Sequence, residues 1–168
     1  MTALDESAAA VTAAEFRQAM SNFATGVTVV TSLDAGGEPV GTTASAITSL
    51  SLDPPLVLVC FDRSSRTLGA VLRHGAFVIN VLAAPQQHLS ANFARRGPAA
   101  DWAGVRHRPG PTGSPRLDGV LAVLECTVRD SFAGGDHEIV IGRVHDVETS
   151  GPDAAPLLHW RGSYTSIG

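Results

Sequence analysis

The sequence predicts one mainly β domain, an antiparallel β-barrel with a few short flanking helices. Short segments rich in β-branched and aromatic residues recur along the chain, and glycine-containing turns join several of them as hairpins. No regular alternation of strands and helices appears, which argues against a parallel α/β sheet. The length of 168 residues suits a single domain, and a content of 44% hydrophobic and 17% charged residues is too apolar for a disordered chain.

The chain is expected to open with a disordered leader, residues 1–11, and to continue as one domain over residues 12–168. Thr12 and Glu15 have the spacing of a capping box, which marks a helix N-terminus. Apolar residues then recur at helical spacing, which predicts a helix over residues 13–24.

Strands and short helices follow in irregular order. Strand-like composition predicts strands at 27–33, 39–51, 56–61, 77–82, 120–132, 137–148 and 156–160. Short helices are predicted at 66–73 and 85–95. Residues 97–115 are expected to form a long irregular loop, and loops of that length are often functional.

Charge and composition exclude several classes of protein. The net charge is −4, and all 12 positive side chains are arginines, because the sequence contains no lysine. A Schiff-base lysine, a lysine general base and a P-loop are therefore excluded, and a nucleic-acid-binding module is disfavoured. The N-terminus lacks the pattern of a signal peptide, and no apolar run approaches the roughly 20 residues of a membrane span. We therefore expect a soluble, cytoplasmic protein.

Metal and side-chain nucleophile chemistry are not indicated. Cys60 and Cys126 lie in apolar runs and are expected to be buried, reduced thiols, with a disulfide between them as the less favoured alternative. The six histidines lack metal-ligand spacing, so no metal site is predicted. An enzyme of this composition would depend on a bound organic cofactor.

One candidate site is the small-residue stretch that contains Thr43, Ala44, Ser45 and Ala46. Such side chains leave a flat surface with accessible backbone, on which a planar heteroaromatic ring could lie. The alternative is a strand packed closely against a helix, which also requires small side chains.

Two further candidate sites follow in the chain. Cys60 lies near the end of an apolar strand, and Ser64, Arg66 and Thr67 then supply hydroxyls and positive charge at a helix N-terminus, which suits a phosphate. The alternative is an ordinary serine N-cap beside solvated arginines. His137 follows a glycine-rich turn and could contact a ligand or assist proton transfer, or it could be a partly buried structural histidine.

Six segments occur in a characteristic order. They are residues 16–31, Gly41-x-Thr43-Ala44-Ser45, residues 48–56, Ser64-x-Arg66-Thr67, residues 77–82 and Gly135-Asp136-His137. This series resembles the flavin reductase-like family, whose fold is the FMN-binding split barrel of the Greek-key type. The resemblance extends from about Phe16 to Tyr164. It is greatest to the small NAD(P)H:flavin oxidoreductase components of two-component monooxygenases.

The resemblance implies a homodimer that binds FMN or FAD, reduces it with NADH or NADPH, and passes reduced flavin to a separate oxygenase. The cofactor-binding residues that it implies are Thr43, Ala44, Ser45, Ala46, Ser49, Leu50, Cys60, Ser64, Arg66, Thr67, Asn80 and Val81. His137 is implied beside the nicotinamide, as the catalytic residue. Selection of NADPH would need an arginine near the 2′-phosphate, for which Arg95, Arg143 and Arg161 are candidates.

Two other interpretations keep the same fold. One is an enzyme similar to pyridoxamine-phosphate oxidases, and the other is a non-catalytic flavin- or haem-binding protein. Ser45 also departs from the family pattern, because many members carry asparagine there. A serine keeps a hydroxyl but loses the two-way hydrogen bonding of an amide, which bears on flavin affinity and on the choice between FMN and FAD.

Overall fold

The computed structural model describes residues 10–95, 99–151 and 154–167. Positions 1–9 of the expected leader lie outside these ranges. The strands of the described residues are β1 (Thr25–Gly26), β2 (Thr28–Leu33), β3 (Pro39–Ala44), β4 (Ile47–Leu52), β5 (Pro55–Asp62), β6 (Ala76–Val81), β7 (His107–Pro109), β8 (Pro115–Leu117), β9 (Ala122–Gly134), β10 (His137–Thr149), β11 (Leu158–Trp160) and β12 (Ser163–Thr165). The α-helices among them are α1 (Ala13–Met20), α2 (Arg66–His74) and α3 (Gln87–Phe93).

Seven strands form one antiparallel sheet in the order β3-β2-β6-β9-β10-β5-β4. The strands β3 and β4 follow each other in sequence but lie at opposite edges of this sheet, so only Ser45 and Ala46 connect the two edges. The sheet therefore curls into a barrel, which stays open because its edge strands β3 and β4 are not paired with each other. The predicted antiparallel split barrel with a few short helices is confirmed.

The hydrophobic core has two parts, one on each face of the central strands. Val30 and Phe77 belong to the first cluster, to which α2 contributes Val71. Val29 and Val78 belong to the second cluster, which contains residues of α3 and of the C-terminal segment. Because successive side chains of a strand point to opposite faces, β2 and β6 are buried on both faces. This two-sided burial explains their continuous apolar sequence.

Helix α1 begins at the predicted capping box, whose two reciprocal hydrogen bonds are formed. The helix ends at Met20, four residues before the predicted end. Ser21 Oγ and Asn22 Nδ2 both donate to the carbonyl oxygen of Gln18, and these side-chain bonds terminate the helix. No residue of α1 is buried, although its sequence contains large apolar side chains.

The prediction of one extended stretch over residues 39–51 is wrong. The chain forms β3, leaves the ladder at Ser45 and Ala46, and continues as β4 at the far edge. The carbonyl oxygen of Ala46 accepts a hydrogen bond of 3.0 Å from the backbone N–H of Cys60, so β5 holds the crossing in place.

The single helix predicted over residues 85–95 is also corrected. A short 3-10 helix, Ala84–Gln86, precedes α3, which ends at Phe93. The Gln86 side chain accepts from the backbone N–H of Ala83 and donates to the carbonyl of Asp118. These bonds tie the helix start to a distant segment, which no local sequence signal could show.

The loop predicted over residues 97–115 is not wholly irregular. Positions 97 and 98 lie outside the described residues, and the second half forms the hairpin of β7 and β8. The backbone N–H of Leu117 donates to Asn80 Oδ1 at 2.8 Å, and Arg116 Nε donates to Glu125 at 2.9 Å. Buried polar side chains therefore fix this hairpin to the barrel.

The last predicted strand is two strands. β11 pairs with β1 and with β12, which gives a small three-stranded antiparallel sheet beside the N-terminal segment. Among the described residues, no helix combines the length and the apolar character needed to cross a membrane.

Candidate active site

A cleft lies where the barrel is split. Its volume is about 280 Å³. The residues that line it are Phe23, Ala24, Thr25, Gly26, Thr28, Ser45 and Ile47. Ser45 belongs to the crossing between β3 and β4, and the other side of the cleft is the segment that leads from α1 into β2. The cleft is therefore apolar, with hydroxyls and backbone groups at a few points, as ligand sites usually are.

The four small residues predicted to support a planar ring have different surroundings. Ser45 and Ala46 are exposed at the crossing, whereas Ala44 is buried in the barrel core. Thr43 Oγ1 donates to the carbonyl oxygen of Ser90 on α3 at 2.7 Å, which is the strand-to-helix packing that the alternative interpretation describes. Of these four residues, Ser45 and Ala46 are thus the two that are exposed and that a planar ring could contact.

Ser49 and Leu50 lie on β4, the exposed edge strand. The β4–β5 ladder is irregular between Ser49 and Ser51, so Leu50 is the extra residue of a bulge. Both residues are exposed and stand beyond the crossing. Neither is among the residues that line the cleft.

A second cluster forms where β5, α2 and the β9–β10 hairpin meet. His137 pairs directly with Asp62 across the β5–β10 ladder. The backbone N–H of Arg63 donates to the carbonyl oxygen of Asp136 at 3.1 Å, and its guanidinium lies 3.5 Å from the Glu138 carboxylate. The predicted phosphate segment and the predicted catalytic histidine are therefore neighbours. No sequence signal indicated the Arg63–Glu138 pair, because it depends on strand pairing between distant segments.

Cys60 connects this cluster to the cleft. Its backbone N–H is bonded to Ala46, and its cross-strand partner on β10 is Ile139. The structure has no disulfide between Cys60 and Cys126, as expected, but only Cys126 is buried and Cys60 is half-buried. Burial raises the pKa of the Cys126 thiol to about 12, so this thiol stays protonated and inert at neutral pH.

Some of the polar groups at the start of α2 already form hydrogen bonds within the chain. The backbone N–H and the hydroxyl of Ser64 both donate to Asp62 Oδ1, at 2.8 and 2.7 Å. Ser65 is the N-cap, and its hydroxyl accepts from the N–H of Leu68. Thr67 is buried, while Arg66 is exposed. A phosphate here would meet Arg66 and the helix N-terminus, close to the Asp62 carboxylate.

His137 has a defined hydrogen-bond partner. Its Nδ1 atom lies 2.7 Å from Asp136 Oδ1. Because a carboxylate only accepts hydrogen bonds, Nδ1 carries the proton in this contact, and Nε2 remains for another partner. The same hydrogen bond lowers the pKa of the Asp136 carboxyl.

Asn80 and Val81, which are predicted at the flavin edge, lie on β6, and neither is among the residues that line the cleft. Asn80 is fully buried, and its amide donates to the carbonyl of Val29 at 3.0 Å and to Thr31 Oγ1 at 3.1 Å. Its oxygen accepts from Leu117 N–H. Val81 packs against the first core cluster. These contacts give both residues a structural role in the barrel.

A C-terminal turn supports the far wall of the cleft. Arg161 has a positive φ of 48°, and its guanidinium donates twice to Asn22 Oδ1, at 3.0 and 2.8 Å. It also stacks over the Trp160 ring at 4.6 Å. Asn22 immediately precedes Phe23, so this turn anchors the start of the segment that lines the cleft.

The described residues contain no group of three or more His, Cys, Asp or Glu side chains arranged to hold a metal ion. The donors at the split and at the start of α2 are hydroxyls, backbone groups and two arginines, the exposed Arg66 and Arg63, which is paired with Glu138. They suit an organic ligand with a planar ring and an anionic tail.

Comparison with known proteins agrees with this geometry. Residues 20–168 match the model of the flavin reductase like domain. This chain belongs to the flavin reductase-like family. It is 41% identical, over 95% of its length and 80% of the relative, to the reductase subunit HsaB of a flavin-dependent monooxygenase from Rhodococcus jostii. It is 44% identical to the flavin reductase (NADH) of Kitasatospora aureofaciens, over 89% of this chain and 78% of that one. A probable flavin reductase from Rhizobium meliloti is 48% identical, but the chain spans only 47% of that protein's length.

Solved structures of flavin reductases have the same fold. BorF, the flavin reductase component of a bacterial two-component tryptophan halogenase, superposes with a TM-score of 0.85 at 36% identity, covering 93% of this chain and 98% of that one. The NADH:FAD oxidoreductase SgcE6 of Streptomyces globisporus, in complex with NAD and FAD fragments, gives a TM-score of 0.85 at 32% identity, covering 92% of each chain. The predicted family, fold and flavin reductase class of this chain are thus confirmed.

Proposed function

We propose that this chain transfers a hydride from NADH or NADPH to FMN or FAD and delivers the reduced flavin to a separate flavin-dependent oxygenase. The observation that supports this most directly is the apolar cleft at the barrel split, joined through the Ala46–Cys60 hydrogen bond to the cluster around His137. The relatives named as flavin reductases and as monooxygenase reductase subunits favour this reaction over the pyridoxamine-phosphate-oxidase-like and non-catalytic alternatives.

In this proposal the flavin ring lies at the split. Ser45 and Ala46 provide a flat, exposed surface with a hydroxyl, and Ile47 gives an apolar wall. Arg66 and the N-terminus of α2 would meet the flavin phosphate, since a guanidinium and a positive helix end both favour a phosphate. Flavin, when bound, supplies the hydride acceptor. The protein's contribution is proximity and alignment rather than a side-chain nucleophile.

His137 is proposed to position the nicotinamide. Asp136 fixes the tautomer of the imidazole, so Nε2 presents one defined hydrogen-bonding atom. Its neighbour Glu138 is paired with Arg63, and this pair steadies the hairpin against the start of α2. The proposed site therefore offers one hydrogen-bonding atom of fixed tautomer, His137 Nε2, beside an apolar cleft.

We also propose that the chain acts as a homodimer. Phe16, Met20 and Phe23 remain 60, 50 and 69% exposed, and Phe23 is at the cleft. Exposed apolar groups of this size usually mark an interaction surface. The cleft volume is also at the lower limit of the roughly 300–1,000 Å³ of ligand pockets, which suits a site that a second copy completes.

Light scattering of the purified protein tests the dimer. We expect the mass of a dimer. Phe16→Ser should dissociate the dimer, whereas Val147→Ser, which removes an exposed apolar side chain near the C-terminal end of β10, should leave it intact. A monomer mass for the unaltered chain would contradict the dimer.

A steady-state assay tests the activity. The protein is mixed with each combination of NADH or NADPH and FMN or FAD in air, and nicotinamide oxidation is followed against the same mixture without protein. We expect catalysis with at least one combination, and product-inhibition patterns then separate ping-pong from sequential transfer. Rates equal to the protein-free background in all four combinations would refute the proposed function.

A further inference from the structure

A second cavity lies far along β5 from the candidate active site. It measures about 440 Å³ and is lined by Pro54, Thr127, Val128, Arg129 and Arg143. Arg143 pairs with Leu56 at one end of the β5–β10 ladder, whereas His137 pairs with Asp62 at the other end. At about 3.3 Å per residue, these two ends are roughly 20 Å apart. The cavity is thus separate from the His137 cluster, and it shares no lining residue with the cleft at the split.

Two β-bulges shape this part of the β9–β10 hairpin. The register skips Arg129 on β9 and His145 on β10, so each is the extra residue of a bulge. Bulges redirect side chains, and both of these bulges carry a basic residue. The ladder pairs Arg143 with Thr127, and Thr127 Oγ1 lies 2.6 Å from His145 Nε2. The hairpin therefore brings two arginines, a hydroxyl and an imidazole to one surface.

The positive charge of this surface is incompletely balanced. Arg129 Nε lies 3.3 Å from the Asp130 carboxylate, and both side chains are half exposed, a setting in which an ion pair contributes little. Arg143 forms no ion pair with any of the residues that the structure describes. Two guanidiniums at one cavity with a single weak counter-ion favour a bound anion.

We propose that this cavity is a phosphate-binding site, in which Arg129 and Arg143 hold the phosphate group and Thr127, accepting from the Nε2–H tautomer of His145, donates its hydroxyl hydrogen. Guanidinium groups bind phosphate oxygens in a bidentate manner. Because this sequence contains no lysine, its permanently charged basic side chains are all arginines. The ligand is a free phosphate dianion or the phosphate of a nucleotide. This site lies outside the hydride-transfer site and adds to the proposed function.

Calorimetry without flavin or nicotinamide tests the proposal, so its outcome does not depend on the reductase activity. Inorganic phosphate, ADP and 2′,5′-ADP are titrated separately into the full chain at constant ionic strength set with chloride. Saturable binding is expected for at least one probe. Because ADP and 2′,5′-ADP are also fragments of NAD(P)H, binding counts for this cavity where Arg129→Gln or Arg143→Gln weakens it. There, a nucleotide that binds more tightly than inorganic phosphate identifies a nucleotide site, and equal binding identifies a phosphate site.

Variants then locate the binding. Arg143→Gln and Arg129→Gln should each weaken the probe at least tenfold, Arg143→Lys should weaken it less, and Arg73→Gln, which removes an exposed arginine from the last turn of α2, should not. The probe should also raise the melting temperature of the unaltered chain and of Arg73→Gln, and it should raise that of Arg143→Gln by less at the same concentration. Because the shift is measured with and without the probe in each variant, the comparison holds even if one variant is less stable than the unaltered chain.

Three results would overturn the proposal. The first is the absence of saturable binding for all three probes. The second is binding that both glutamine variants retain unchanged. The third is a change in oligomeric mass in these variants with phosphate affinity preserved, because the arginines would then be contacts between copies of the chain.

Discussion

His137 and Asp62 lie directly opposite each other in the antiparallel ladder of β10 and β5. This pairing brings the hairpin turn before His137 against the start of α2. The backbone bond from Arg63 to Asp136 and the pair of Arg63 with Glu138 then hold the two segments together. Segments separated by about 75 positions in the chain thus form one candidate site.

The first prediction concerns His137. Replacing it with Gln removes the imidazole that Asp136 orients, and we expect kcat/KM for the nicotinamide to fall about tenfold, the effect of losing one hydrogen bond of roughly 1.4 kcal/mol. The KM for flavin should change little. His88→Gln alters an exposed histidine on α3 and is the matched control. An unchanged kcat/KM in His137→Gln would show that the nicotinamide does not depend on this side chain.

The second prediction concerns the two thiols. A disulfide-exchange reagent at pH 8 should modify one thiol per native chain, Cys60, and two in denaturant, since burial raises the pKa of Cys126 to about 12. Saturating FMN or FAD should slow the modification of Cys60 if flavin lies at the split. Equal reaction of both thiols in the native chain would contradict the described burial, and no protection by flavin would place the flavin elsewhere.

The third prediction concerns Asn80. In Asn80→Ala, the buried N–H of Leu117 loses its acceptor and the carbonyl of Val29 loses one of its donors, and leaving a buried polar group unpaired costs about 1–3 kcal/mol. Urea unfolding should show a loss of at least this size. Asn92→Ala, which breaks bonds to Asp101 in an exposed region, should cost less. A loss in Asn80→Ala no larger than in Asn92→Ala would argue against a structural role.

The fourth prediction concerns pH. The hydrogen bond from Arg116 lowers the pKa of the Asp146 carboxyl. A carboxyl with a lowered folded-state pKa stabilises the fold above its unfolded pKa of about 3.9, and this contribution disappears as the pH falls through the folded value. The stability difference between the unaltered chain and Asp146→Asn should therefore be constant from pH 7 to about 5 and shrink below that range. A difference that grows on acidification would contradict this ion pair.

Local signals in the sequence predicted much of the fold. The capping box marked the start of α1, the helix predicted from residue 66 begins there as α2, and the hairpin turn before His137 has the predicted position. These features depend on residues a few positions apart, so composition and spacing are sufficient to locate them.

Features that depend on distant contacts were not predictable in this way. The residues around Ser45 have continuous strand-like composition, and the break there arises because the chain crosses between the two edges of the sheet. Asn80 lies within an apolar strand, where sequence cannot distinguish a ligand contact from a bond to Leu117.

Anaerobic titration of the protein and excess flavin with NADH, or with NADPH if the assay shows that preference, tests the central claim most directly. The visible absorption band of the flavin should bleach within seconds, with one nicotinamide oxidised per flavin reduced, and admission of air should restore it. A flavin band that decays no faster than in the protein-free mixture, with either flavin and either nicotinamide, would contradict the account.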